Sequence, residues 1–146
     1  MIASRPQIRM AIEPRFHQEV IPVQLPPTAT YFRHLSEGRF MIQRSPSTGE
    51  WVFYPRMVAP RTGATDMEWV EPSGLGTVYA TTVKRAKPPA DDVNIAIVEL
   101  DEGPRLMTHV QRIAPDAVKI GMRVRAAIVD GPDDKKIVVF EPEAGQ

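Results

Sequence analysis

Between Arg44 and Gly63 the chain reads R-S-P-S-T-G-E-W-V-F-Y-P-R-M-V-A-P-R-T-G. Two turns with x-x spacing, closed by Gly49 and Gly63, flank a short apolar run. This is the layout of a zinc ribbon, whose spaced positions supply four thiolate or imidazole ligands to one tetrahedral metal ion. Those positions here are Ser45, Thr48, Ala59 and Thr62. None of these side chains is such a ligand, so the spacing survives without its chemistry and no zinc is expected. The chain holds no cysteine anywhere, which also removes disulfides and thiolate catalysis.

Other residues that could do chemistry are few. Arg44, Arg56 and Arg61 cluster around the two turns, and a planar guanidinium fork suits phosphate or carboxylate. The alternative is ordinary solvated charge. Gly74 and Gly76 precede a strand rather than a helix, so no helix N-terminus is on offer to a phosphate. They are expected to form a bulge or a close strand approach. Asp101 and Glu102, followed by Gly103, read as turn residues rather than an acid/base pair. His17, His34 and His109 are far apart and stand at no recognisable spacing to a serine or an acid. A catalytic constellation is therefore not expected.

The elements that must position these residues are mostly strands. Residues 1–29 carry five prolines among short apolar pieces, which predicts an extended arm. Thr30 onward predicts a short helix with Thr30 as N-cap, Gly38 just past its end, and Phe32 and Leu35 on one docking face. F-M-I-Q and W-V-F-Y predict a hairpin, and Trp51 to Tyr54 with Trp69 are expected to supply an apolar core in place of the metal. From residue 71 five strands follow: Gly76–Lys84, Val93–Leu100, the run R-L-M-T-H-V, Arg123–Val129 and Lys136–Phe140. A long first strand, a second hairpin and an interruption before the fourth strand predict a Greek-key barrel of the OB type. The expected fold is mainly β: an arm (1–29), a short helix with a degenerate rubredoxin-like ribbon (30–70), and a five-stranded OB-fold barrel (71–142).

Composition narrows the function classes. The net charge is zero, where nucleic-acid-binding domains are usually markedly basic. That zero divides into eight arginines against four glutamates in residues 1–62, and ten basic against fourteen acidic residues in the remainder. No apolar run approaches the ~20 residues of a membrane span, and the first residues lack the apolar core of a secretory signal. With no cysteine, a cytoplasmic protein is expected.

The order of pieces is itself specific. F-x-x-L-x-x-G (Phe32, Leu35, Gly38) is followed by the ribbon frame (Arg44, Gly49, Pro55, Arg56, Pro60, Gly63), then S-G-x-G-T-V (Ser73–Val78). V-E-L-D-E-G (Val98–Gly103) and I-G-M-x-V (Ile120–Val124) complete it. This arrangement resembles the OB-fold and zinc-ribbon acyl-CoA-associated accessory proteins that occur beside thiolase-like enzymes. The resemblance implies a non-catalytic subunit of a thiolase, aldolase or acyltransferase complex, often a heterotetramer. It implies a coenzyme A thioester as ligand, with Arg44, Arg56, Arg61 and Tyr54 as contacts to acyl-CoA or partner. It implies no role for nucleic acid or membrane. Two other classes stay open: an OB-fold single-strand nucleic-acid binder, and a stand-alone acyl-CoA enzyme such as a hydratase or thioesterase.

Overall fold

A computed structural model describes residues 25–143, so residues 1–24 of the arm predicted over 1–29 lie outside the described residues, while Pro27 to Ala29 belong to a helix rather than to an extended arm. Helix α1 spans Pro27–Ser36. It begins three residues before Thr30, which is a correction to the predicted N-cap. Pro27 holds Pro26 in an extended conformation (ψ 147°) and itself occupies the first helical position, where no N–H is needed. Thr30 lies inside the first turn, its N–H donating to the Pro26 carbonyl at 3.2 Å. The far end is as expected. Gly38 takes φ +80°. Its N–H donates to Leu35 O, and Arg39 N–H donates to His34 O, both at 2.9 Å. These two bonds form a Schellman motif.

A three-stranded antiparallel sheet follows, with β1 (Ile42–Arg44) between β2 (Trp51–Val52) and β3 (Glu68–Val70). Gln43 faces Val52 on one side and Trp69 on the other. This is the predicted hairpin with M-E-W-V added as a third strand.

The larger sheet holds β4 (Leu75–Lys84), β5 (Val93–Leu100), β6 (Arg105–Thr108), β7 (Arg123–Asp130) and β8 (Lys136–Pro142). Its order is β6-β5-β4-β7-β8. The sheet curls until its two edges meet in a parallel bridge between Val110 and Phe140. Phe140 N–H donates to His109 O at 3.0 Å and Gln111 N–H to Phe140 O at 2.7 Å. A five-stranded sheet curled onto itself in this order is the OB fold.

Two details of β4 make the curl. A bulge falls between Val78 and Ala80, not at Gly74 or Gly76. It sends Tyr79 outward, half exposed, while Val78 stays buried. Gly76 serves close approach instead: a Cβ there would lie 2.7 Å from both Glu99 O and Val98 Cγ1.

Strand β5 alternates strictly, with Asn94, Ala96, Val98 and Leu100 facing inward. Phe140, Val124 and Val139 are completely covered. The core does not stop at the barrel. Tyr31, Leu35, Phe40 and Ile42 join Val98 and Phe140 in one buried cluster, because α1 packs on β8. Each large side chain buried this way contributes roughly 1.5–3 kcal/mol. Among the described residues no helix is long and apolar enough to cross a membrane.

Candidate functional site

The two ribbon turns keep the backbone of metal knuckles. In the first, Gly49 N–H donates to Ser45 O (2.7 Å) and Ser45 N–H to Glu50 O (2.8 Å). In the second, Gly63 N–H donates to Ala59 O and Ala59 N–H to Ala64 O, both at 2.9 Å. Gly49 and Gly63 take φ of +77° and +76°, which an L side chain rarely adopts.

The four ligand positions have other occupations. Ser45 is fully buried and its hydroxyl donates to Asp66 Oδ1 at 2.7 Å. Thr48 Oγ1 accepts from Glu50 N–H at 3.3 Å. Ala59 is buried and carries no donor atom. Thr62 Oγ1 donates to Glu50 Oε1 at 2.7 Å. This donor set does not fit a zinc ion, which takes thiolates, imidazoles and carboxylates in a tetrahedron.

The carboxylates of Glu50 and Asp66 thus stand where the sequence reading placed nothing. Glu50 belongs to the first knuckle and accepts from the second, at Thr62 Oγ1 and at Arg61 N–H (3.2 Å). Asp66 follows the second knuckle and accepts from the first, at Ser45 Oγ and at Ser47 N–H (3.1 Å). The Thr62 hydroxyl holds the Glu50 carboxyl below its usual range, and Ser45 and then Ser47 do the same for Asp66. A carboxylate beside each knuckle was the signal that could have revealed them.

Apolar packing behind the knuckles is partial. Val52 is buried, and Trp51, Phe53 and Trp69 are partly buried against the core. Tyr54 is an exception to the expected core, being 46% exposed. His34 lies with its ring centroid 5.5 Å from that of Trp69, tilted by 54°, and burial lowers its pKa below the ordinary value.

The expected contact residues open onto different faces. Arg44 lies over the Trp51 ring at 5.6 Å. Arg56 lines a groove of about 540 Å³ with Arg33, Met57 and Trp69. Its backbone is held by the buried Gln43 amide, which accepts from Arg56 N–H (2.7 Å) and donates to Arg56 O (2.8 Å). Arg61 lines a second groove of about 650 Å³, between the knuckles and the Glu102–Pro104 turn. Tyr54 belongs to a third, about 490 Å³, between α1, the ribbon and the barrel. That third groove is largely apolar, with Phe32, Phe53 and Val138 in its walls and Met107, 75% exposed, at its rim.

The acidic turn is structural, as its sequence suggests. Asp101 receives both arms of the Arg123 fork, at 2.7 and 2.9 Å, and this contact holds its carboxyl below the usual range. Glu102 Oε2 accepts from Ser73 N–H at 2.9 Å, tying the turn to the start of β4. The outer face of the barrel is poorly suited to stacking bases. Tyr79 is already covered by Arg105 at 3.8 Å, and Arg105 in turn pairs with Glu99 at 2.8 Å. Phe140, the other barrel aromatic, is fully buried.

A ribbon whose ligand positions carry no thiolate or imidazole, leading into an OB barrel, defines a class of two-part β proteins. Comparison with known proteins narrows it. Residues 69–129 match the family model described as the ChsH2 C-terminal OB-fold domain. A DUF35 domain-containing scaffold protein of Pyrococcus furiosus is 30% identical over 64% of this chain and 72% of its own length. A probable enoyl-CoA hydratase alpha subunit of Thermomonospora curvata is 34% identical over 81% of this chain. The match covers only 38% of that hydratase subunit's length. Among solved structures, a chain of the Ltp2-ChsH2(DUF35) aldolase superposes with a TM-score of 0.70 at 32% identity, covering 84% of this chain and 98% of that one. The chain belongs to the DUF35 family of ChsH2-type OB-fold proteins.

Proposed function

We propose that this chain is a non-catalytic accessory subunit of a thiolase-like enzyme acting on acyl-CoA. The observation that carries the reading is its likeness, over nearly all of the described residues, to the DUF35 component of the Ltp2-ChsH2 aldolase. The scaffold name borne by the Pyrococcus relative supports the same role. So does the employment of the polar groups. Asp101 is committed to Arg123, and His34 is packed on Trp69. In this reading the catalytic groups reside on the partner.

The apolar groove beside Tyr54 offers the partner a surface, and Met107 at its rim adds exposed apolar area. The Arg33 and Arg56 guanidinium groups on the neighbouring groove suit the phosphates of a coenzyme A thioester. Arg44 and Arg61 extend the basic face toward the partner. The assembly is a cytoplasmic heterotetramer that works without zinc in this subunit and without nucleic acid or membrane.

Co-expression with a thiolase-like enzyme from the same organism should give one complex that co-elutes on size exclusion and turns over acyl-CoA. Separate elution of the two chains would reject the reading. A hydratase-type partner is favoured by one specific observation, the hydratase alpha subunit relative. Assaying the complex for both enoyl-CoA hydration and carbon–carbon cleavage separates the two partner chemistries.

A further inference from the structure

We infer that Glu50 and Asp66 have taken over the cross-linking role of the absent metal, as a reciprocal carboxylate clamp between the two knuckles. A zinc ion in such a ribbon joins two loops that share no core of their own, and much of the module's folding energy comes from it. In this chain the same two loops are joined four times. Glu50 reaches from the first loop to the hydroxyl of Thr62 and the N–H of Arg61 on the second. Asp66 reaches back to the hydroxyl of Ser45 and the N–H of Ser47 on the first.

The substitutions at the ligand positions are chemically matched to this arrangement. Ser45 and Thr62 each present a hydroxyl donor to the carboxylate of the opposite loop. Ser45 Oγ also accepts from Thr48 N–H at 3.3 Å, so the buried hydroxyl spends its lone pair inside the turn. Thr48 and Thr62 further close their own turns by accepting from Glu50 N–H and Ala64 N–H. Ala59 fills the remaining position as a buried methyl. Three of the four former ligand positions therefore hold hydroxyls that serve the loops, and two carboxylates replace one dication as the connection.

The clamp requires that each carboxylate accept twice, once through each oxygen. Alanine at either position removes both acceptor oxygens and leaves the N–H and the hydroxyl of the opposite loop without that partner. The test is native-state amide exchange in the full chain, comparing wild type with Glu50→Ala, Asp66→Ala and the pair together. Arg61 N–H should exchange roughly tenfold faster in Glu50→Ala, Ser47 N–H roughly tenfold faster in Asp66→Ala, and both in the double variant. Barrel amides on β5 should stay far more protected than the knuckle amides, which confirms that each variant is folded. A chelator added to wild type should change no knuckle rate. Unchanged exchange at residues 47 and 61 in folded variants would overturn the clamp. Faster exchange in wild type on chelation would overturn it too, by showing a metal in the role. If the double variant unfolds, the two single variants decide the matter in the same way.

Discussion

Gln43 occupies a position on β1 where its side chain must act as a piece of backbone. It is 4% exposed, and its amide pairs with both the N–H and the carbonyl of Arg56. Arg56 has no strand partner of its own, so those two groups depend on the glutamine as a strand residue depends on its ladder. An ion pair could not replace it, because a carboxylate accepts but cannot donate to Arg56 O. Gln43→Ala leaves a donor and an acceptor unpaired in a part-buried place, at a cost of roughly 1–3 kcal/mol. The urea midpoint should fall accordingly, with the m-value unchanged; a midpoint equal to wild type would mean that water replaces the amide at no cost. The same residue sets the entrance to the second knuckle, so the cost should be accompanied by broadened signals at Arg56 and Met57.

At the scale of elements, the ribbon answers to pH through its two carboxylates. Glu50 and Asp66 have folded-state pKa values below the ordinary 4.5 and 3.8. A depressed carboxylate contributes stability that is fully present above its unfolded value and is lost as pH falls through the folded one. The groups bonded to this pair are the Thr62 and Ser45 hydroxyls and the N–H groups of Arg61 and Ser47, none of which is an ionisable side chain. The stability difference between wild type and the Glu50→Gln/Asp66→Asn double variant should therefore be constant from pH 7 to about 5 and shrink below about 4. A gap that persists at the lowest pH would mean that the amides act by shape rather than by charge. These carboxylates also mark what the sequence hides. Strands β4 to β8 are legible because burial on one face writes a period of two into β5 and the strands beside it. Gly76 is legible because only a missing side chain permits the approach to Glu99. The helix start is misread because Thr30 offers a hydroxyl, while the two prolines before it decide the boundary sterically. The bulge at Tyr79 leaves no compositional trace, and Glu50 and Asp66 acquire their roles from a turn-to-turn approach whose one trace in the sequence is a carboxylate beside each knuckle.

At the scale of the whole molecule, the question is whether ribbon and barrel are one folding unit or two. The two differ in topology, since their sheets share no strand. Packing runs across both. Tyr31 and Leu35 from the helix and Phe40 and Ile42 from the ribbon lie in the same buried cluster as Val98, Leu106 and Phe140 of the barrel. Removing the helix from that cluster would uncover Phe140, which has no exposure at all. Neither part can therefore keep its core while the other opens, and a shared core of this kind makes unfolding all-or-none. The chain provides the means to see it. Both of its tryptophans, Trp51 and Trp69, lie on ribbon strands β2 and β3, so their emission reports the surroundings of the ribbon strands. Far-UV circular dichroism is dominated by the five long strands of the barrel. The two signals should trace one urea transition with a common midpoint, even though the knuckle tips exchange their amides faster than the barrel. Emission that changes at a lower urea concentration than ellipticity would show the ribbon to be a separate unit, with α1 holding to the barrel by itself. In that case something other than the shared core would have to stabilise the ribbon.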